Sequence, residues 1–543
     1  MAKGYRPVRR DQPFLLPPDM REWLPGDHPV WLVIEAVEDH LDTSAFHARR
    51  RTGGPGTAGY DPDMLVTLLI WAYANGVTSS RRIEAACWQD ISFRVICAGE
   101  VPDHVTVARF RAAFPGLAED LFTRVLVLCA RLGMGQLGTV ALDGMKIAAS
   151  ASKSANRTEA GLRKLAAERA AEHAAADAAD DARLGEGRRG DEVAPGAGPG
   201  SRAARIAAAL ADLEAGREAA GQASREQAGA FRARNQAGRP GPPPAAIAVD
   251  AAAAKLARAR ADRAAQVTEL ERRAAGPVIA GSRRDRPRAG IEDYCLVRNA
   301  RVALEKAQAR AAAQAARAAA RDAGPGPVRN ITDPDSRLMP VRGGGFIQGY
   351  NTQNVTSADG LIIATALTND TADTGCFEPM LARALAAAAV ITARQPGHTT
   401  SASTPLIGLV LADAGYCSAR NLTTPGPDRL IATGSRRTLE QAARQATTPP
   451  PRPAASDPAP RDPVAAMTAR LATPDGITAY RQRGHIAETP HGHIKHNMGI
   501  RRLSVRGTAR ATAEWTFITT VHNLLKAITT SRLTRQALTS LAS

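Results

Sequence analysis

Leu406-Ile407-Gly408-Leu409-Val410-Leu411-Ala412-Asp413 is an unbroken apolar run that closes on a carboxylate. Such a run, with no polar alternation, predicts a central strand covered on both faces. The same signature stands far upstream at Gly138-Thr139-Val140-Ala141-Leu142-Asp143, a short β-prone segment ending on an acid. Between the two lie Gly345–Val355 and Leu361–Leu367, joined by Ser357-Ala358-Asp359-Gly360; an Asp-Gly between β-prone runs is a hairpin cue. A helix over about 374–393 follows. The order strand–acid, antiparallel hairpin, helix, strand–acid, helix–acid predicts an α/β fold. It is a mixed sheet flanked by helices, with Asp143 and Asp413 at the ends of adjacent strands.

Upstream, residues 1–135 read as an all-α domain. Asp61 caps a helix whose first turn accepts Pro62, and Met64, Leu65, Leu68, Leu69 and Ala72 recur at helical spacing until Gly76. A second helix starts after Ser79, a third at Pro102-Asp103-His104, and a fourth covers about 116–132. Short helices joined by tight turns resemble a helix-turn-helix, although any small helical bundle reads similarly. Residues 151–325 shift to Ala and Arg with Gly/Pro breaks. Leu210, Leu213, Leu256, Val267 and Leu270 are too few for an independent core, so a long helical insertion with disordered joints is predicted. Within it, Ser282–Arg288 is a basic cluster suited to non-specific DNA contact. The Pro/Thr/Ala-rich stretch 447–464 predicts a flexible loop inside the core formed by 136–150 and 326–530.

The 543 residues carry a formal charge of +17. That excess favours a polyanionic partner over an acidic small molecule, although a GC-rich genome also inflates Arg and Ala. Six cysteines without a CxxC pair argue against a disulfide frame or a zinc site. The N-terminal stretch lacks the apolar segment of a signal peptide. No window approaches the roughly 18 continuous apolar residues of a membrane span, so a soluble intracellular protein is expected.

Glu488 is the only carboxylate between Gly476 and Ala513, among Arg481, Arg483, Lys495, Arg501, Arg502, Arg506, Arg510 and four histidines (His485, His491, His493, His496). The plain reading of Glu488 is an ion-pair partner, and of Asp143 and Asp413 turn caps. All three together read better as carboxylates converging on cations: hard oxygen ligands with open positions suit Mg²⁺ or Mn²⁺. Two such ions activate a nucleophile and stabilise a leaving oxygen in phosphoryl displacement. Lys495, two turns beyond Glu488, shares its face and can meet a phosphate. The histidines read as surface or phosphate-contacting groups, Asp370 and Asp373 as caps of the helix at 374 or support for a metal shell, and Asn351 and Gln353 as structural or DNA-edge contacts. Trp515 reads as core, with stacking on a flipped base as the alternative.

Ala141-Leu142-Asp143-Gly144-Met145-Lys146, Leu411-Ala412-Asp413-Ala414-Gly415-Tyr416 and Tyr480-x2-Arg483-x4-Glu488-x6-Lys495, in this order, resemble a DDE transposase of a bacterial insertion sequence with an RNase H-like core. The last motif is similar to the Tyr–Arg–Glu–Lys signature of that group, its Arg-to-Glu gap one residue longer than in the best-known version. The Asp61–Glu84, Pro102–Arg111, Asn330–Met339, Gly349–Asn351 and Asn369–Asp373 segments resemble other stretches of the same group. The resemblance implies that Asp143, Asp413 and Glu488 hold two Mg²⁺ (or Mn²⁺) at the terminal inverted repeats of the element. Water attacks first, and the freed 3′-hydroxyl then attacks target DNA. It also implies that Tyr480, Arg483 and Lys495, with Arg501, Arg502 and Arg506, engage the DNA. A homodimer on DNA and a cytoplasmic, nucleoid-associated protein are expected. The rivals are a nuclease on the same core without strand transfer, and a non-catalytic DNA-binding derivative.

Overall fold

The structure is a computed structural model that describes residues 19–48, 59–184, 201–237, 243–275, 290–322, 326–341, 343–396, 405–434 and 462–542. The basic cluster at 282–288 and the 447–464 loop up to 461 lie outside the described residues. The chain divides into two compact units, residues 1–155 with 332–543, and residues 156–331.

The first unit begins with helices α1 (Pro29–Glu35), α2 (Pro62–Ala74), α3 (Ser80–Gln89), α4 (Ile91–Ile96), α5 (His104–Ala112) and α6 (Ala118–Arg131). α1, α2, α4 and α5 start where a side chain satisfies orphan backbone N–H groups. Asp61 accepts from the Asp63 amide at 2.7 Å, and Asp103 from the amides of Val105 and Thr106. Ser79 precedes α3 but makes no capping bond. α1 and α4, neither of them singled out in the sequence, are too short for a periodicity signal; α4 is started by Asp90, which accepts from the Ser92 amide. Strand β1 (Thr139–Ala148) follows.

In the second unit, β2 (Asn156–Thr158) leads into α7 (Glu159–Leu184), α8 (Arg202–Gln236), α9 (Ala248–Ala274) and α10 (Cys295–Asp322), and β3 (Val328–Asn330) pairs back on β2. α7 and α8 share one small cluster (Leu162, Ile206, Ala209, Leu213), and α9 and α10 another (Leu256, Val297, Ala300). The sparse large apolar residues of this segment suffice for two helix pairs and no more.

The first unit resumes with β4 (Arg337–Pro340), β5 (Phe346–Ser357), β6 (Ile362–Thr368), α11 (Phe377–Thr392), β7 (Leu409–Ala412), β8 (Asp428–Ile431), α12 (Pro463–Leu471), α13 (Pro474–Gly492) and α14 (Thr508–Thr529). The mixed sheet runs β4-β5-β1-β7-β8, with β6 also paired to β5. β1 is central: β5 lies antiparallel on one side and β7 parallel on the other, and β8 is parallel to β7. This is the RNase H-like mixed sheet expected, with an all-α N-terminal region and a long helical insertion. α12 begins where the Asp462 side chain accepts from the Val464 amide, so the loop predicted to 464 ends before that cap.

One face of the sheet is covered by α6, α11 and α14, the other by α12 and α13. α14 is buried around most of its circumference, and fully buried Trp515 is core rather than a stacking platform. Phe517 of α14 meets Tyr73 of α2 edge-on at 5.1 Å and Phe114 at 4.8 Å. Tyr73 donates its hydroxyl proton to buried Glu514 at 2.7 Å. The stretch Thr374–Thr392 is long and apolar enough to cross a membrane. Phe377, Met380, Leu381, Ala384, Ala388 and Ile391 are buried against the sheet instead, as in a core helix.

Candidate active site

The parallel ladder between β1 and β7 pairs Thr139 with Leu409 and ends at Leu142 with Ala412. The next residues in that register are Asp143 and Asp413. Neighbouring strands stand about 4.8 Å apart and residues in parallel register share a face, so the two carboxylates leave the sheet side by side. β1 does not stop at Asp143, as the sequence implied. It runs to Ala148, pairing Asp143 with Asn354 and Ala148 with Gly349 of β5. Gly144 and Lys146 break the apolar pattern there, which is why the continuation is not legible as a strand. Asp413 also accepts from the Gly415 amide at 2.9 Å, so it caps its turn and faces the site at once.

α13 lies over this face. Ile486 and Ala487 pack on Ala141, Leu411 and Leu430, which fixes the rotation of the helix. Arg483 and His491 thereby point at Asp143. Arg483 Nη1 is 3.6 Å from Asp143 Oδ1, and His491 Nδ1 is 3.8 Å from Oδ2. The arginine is ion-paired but beyond hydrogen-bond reach, and its buried Nη1 has no hydrogen-bond partner among the described residues. Burial works against its charge, yet Asp143, Tyr480 and Asp413 outweigh it and raise its pKa. His491 is buried, which, aided by Lys495 and Arg483, pushes its pKa down to about 4. Tyr480 donates to the Ala412 carbonyl at 3.2 Å, and burial raises its pKa.

Glu488 is exposed on α13. Three residues before His491, it stands about 60° around the helix from it, at the edge of the face that covers β1. Among the described residues, the carboxylates of Asp143, Asp413 and Glu488 do not close to within 4.8 Å of one another; the only such trio of candidate ligands is His47, Asp61 and Asp63. Lys495 is half-buried, with its pKa lowered by burial and then by Arg501. Arg501, Arg502 and Arg506 are exposed, Arg506 donating to the Ser150 carbonyl at 3.0 Å. The tips of Tyr480 and Arg483 point inward. The histidines part company: His485 and His496 are exposed, whereas His491 is buried and His493 is half-buried 3.0 Å from His522. Four surface histidines were the expectation, but the helix turns two of them onto the core.

On the opposite face of β1 lies a polar cluster the sequence did not assemble. Asp373 accepts from Asn351 at 2.7 Å, from Gln353 at 2.8 Å and from Lys146 at 3.2 Å. Its side chain makes no helix cap. Tyr416 donates to Gln353. Gly144 lets β1 pass this cluster, since a Cβ there would come within 2.7 Å of Gln353 Nε2 and 2.9 Å of Asp373 Oδ1. The signal that pointed here was the polar run Asn351-Thr352-Gln353-Asn354 inside a β-prone stretch. All four are buried, and buried polar side chains need partners.

The residues present fit a divalent ion. Two hard carboxylates follow the last paired residues of β1 and β7, and Asp143 already faces one cation, Arg483, whose buried Nη1 has no hydrogen-bond partner among the described residues; such oxygen donors suit Mg²⁺ or Mn²⁺. Two family models match the chain: a transposase domain (DUF772) over residues 18–113, and a transposase DDE domain over residues 326–524. The second match takes in Asp413 and Glu488 but begins after β1 and Asp143. No curated protein and no solved structure matches.

Proposed function

The chain belongs to the DDE transposases of insertion sequences, and we propose that it cleaves the ends of its element and joins them to target DNA, using Asp143, Asp413 and Glu488. The observation that supports this reading is the parallel register of β1 and β7, which ends at Leu142 and Ala412, the residues immediately before Asp143 and Asp413. The three carboxylates would hold two Mg²⁺ ions, with Mn²⁺ as a substitute. When bound, such ions lower the pKa of a nucleophilic water or 3′-hydroxyl and neutralise charge on the phosphate under attack.

The chain's own residues do the rest. Asp143 is fixed within β1, Asp413 is held at the end of β7 by the Gly415 amide, and Glu488 is carried on α13. Lys495 and the exposed Arg501, Arg502 and Arg506 line up beyond it to meet the phosphodiester backbone, adding affinity that is salt-dependent and carries no sequence information. Residues 1–135 would supply the helical DNA-binding domain, and a homodimer would pair the two ends. Removing Arg501, Arg502 or Arg506 is expected to flatten the salt dependence of DNA binding by about one unit of slope each, uniformly across sequences. Titrations of the alanine variants at several salt concentrations check this.

The direct test is Mg²⁺-dependent cleavage and joining of a labelled duplex carrying the DNA ends that flank this gene. Cleavage with joining supports the transposase reading. Cleavage without joining selects the nuclease, and binding alone selects the non-catalytic derivative.

A further inference from the structure

The mechanism leaves one buried group beside Asp143 without a task. His491 is almost fully buried on α13, over the pair formed by Asp143 of β1 and its register partner Asn354 of β5. Thr365 of β6 donates its hydroxyl proton to Asn354 Oδ1 at 2.7 Å. With that oxygen engaged, the amide turns its Nδ2 to His491 Nε2 at 3.2 Å. A ring nitrogen that accepts a hydrogen bond bears no proton, so in the neutral ring the proton sits on Nδ1. Nδ1 is the atom that faces Asp143 Oδ2 at 3.8 Å.

We propose that His491 is a positioning residue for Asp143. The chain Thr365–Asn354–His491 fixes its tautomer so that Nδ1–H is held toward one carboxylate oxygen, while Arg483 stands against the other. This deepens the transposase reading and rests on it. A shift of about 1 Å closes 3.8 Å to hydrogen-bond distance. The carboxylate is then confined to one orientation before it takes a ligand, the role that outer partners play around metal sites. Had His491 been a ligand through Nδ1, its proton would sit on Nε2, and the partner there would be an oxygen rather than the Asn354 amide nitrogen.

The test is calorimetric titration of the full chain with Mn²⁺, comparing His491→Asn, His491→Gln and His491→Phe. The amide nitrogen of Asn stands where Nδ1 stands and keeps a donor toward Asp143. The side-chain oxygen of Gln reaches the Nε2 position and keeps only the hydrogen bond that Asn354 donates. The Gln and Phe variants are expected to bind Mn²⁺ about 10–100-fold more weakly, the usual effect of losing such a partner, with Asn close to the parent protein. If Gln binds as well as Asn, or Phe as well as the parent, the positioning role is overturned. Loss in Asn equal to that in Phe also overturns it. Should the Phe variant fail to fold, Asn against Gln still decides. Asp143→Asn, titrated in parallel, separates the two levels: unchanged Mn²⁺ affinity there removes the site reading itself. Weakened binding there with silent His491 variants removes only the positioning role.

Discussion

Asp143→Asn and Asp413→Asn are each expected to lower strand cleavage by roughly three orders of magnitude or more while DNA binding persists. The magnitude follows from the several kcal/mol that an ion contributes to transition-state charge, at about 1.4 kcal/mol per tenfold in rate. The fold is expected to survive both changes. Asn caps a turn about as well as Asp, so the bond from the Gly415 amide to residue 413 has a replacement. At 143 the amide occupies the same space between β5 and β7. Glu488→Gln is expected to match them in cleavage and to leave stability unchanged, because Glu488 is exposed. Single-turnover cleavage beside filter binding measures both quantities. A variant that cleaves like the parent removes its residue from the site.

The legibility of this chain divides along physical lines. The apolar run ending at Asp413, the Asp359-Gly360 turn and the Asp-capped helices were readable because each depends on local sequence. So was the sparse core of 156–331, where too few large apolar residues left only two helix pairs. The true length of β1 was not readable. Past Asp143 it pairs with β5 and, at its end, through the single bridge from Ala148 to Arg502, and the residues there (Gly144, Lys146) answer to the Asp373 cluster rather than to a strand pattern. His491 was read as a surface group because its burial depends on how Ile486 and Ala487 rotate α13, a tertiary fact. The same holds for Asp373, whose partners come from two strands distant in sequence. Local chemistry foretold the carboxylates on β1 and β7; the groups that surround them are set by packing, which a single sequence does not display.

Arg483→Leu is the substitution with the largest expected effect on stability. The guanidinium is only 11 % exposed and Asp143 only 15 %, with Asp413 adding to the field at Arg483. Removing the arginine takes its charge away from Asp143, the carboxylate it pairs with, and from the field of Asp413. Breaking a buried pair by deleting one partner costs roughly 3–5 kcal/mol, because the remaining charge is uncompensated. The urea midpoint measured in chelator is expected to fall accordingly, with the slope unchanged. Asp143→Asn introduced into the Leu variant is expected to recover part of the loss, and the double-mutant cycle measures the coupling. Mn²⁺ is expected to restore more stability to the Leu variant than it adds to the parent. An ion that binds only the folded state contributes about 2.7 kcal/mol at a hundredfold excess over Kd, and in the variant it meets no competing guanidinium. Equal stability of Arg483→Leu and the parent in chelator would mean that water already neutralises these carboxylates. Arg483 would then be free to serve the DNA backbone, the role that the Tyr–Arg–Glu–Lys resemblance gives it.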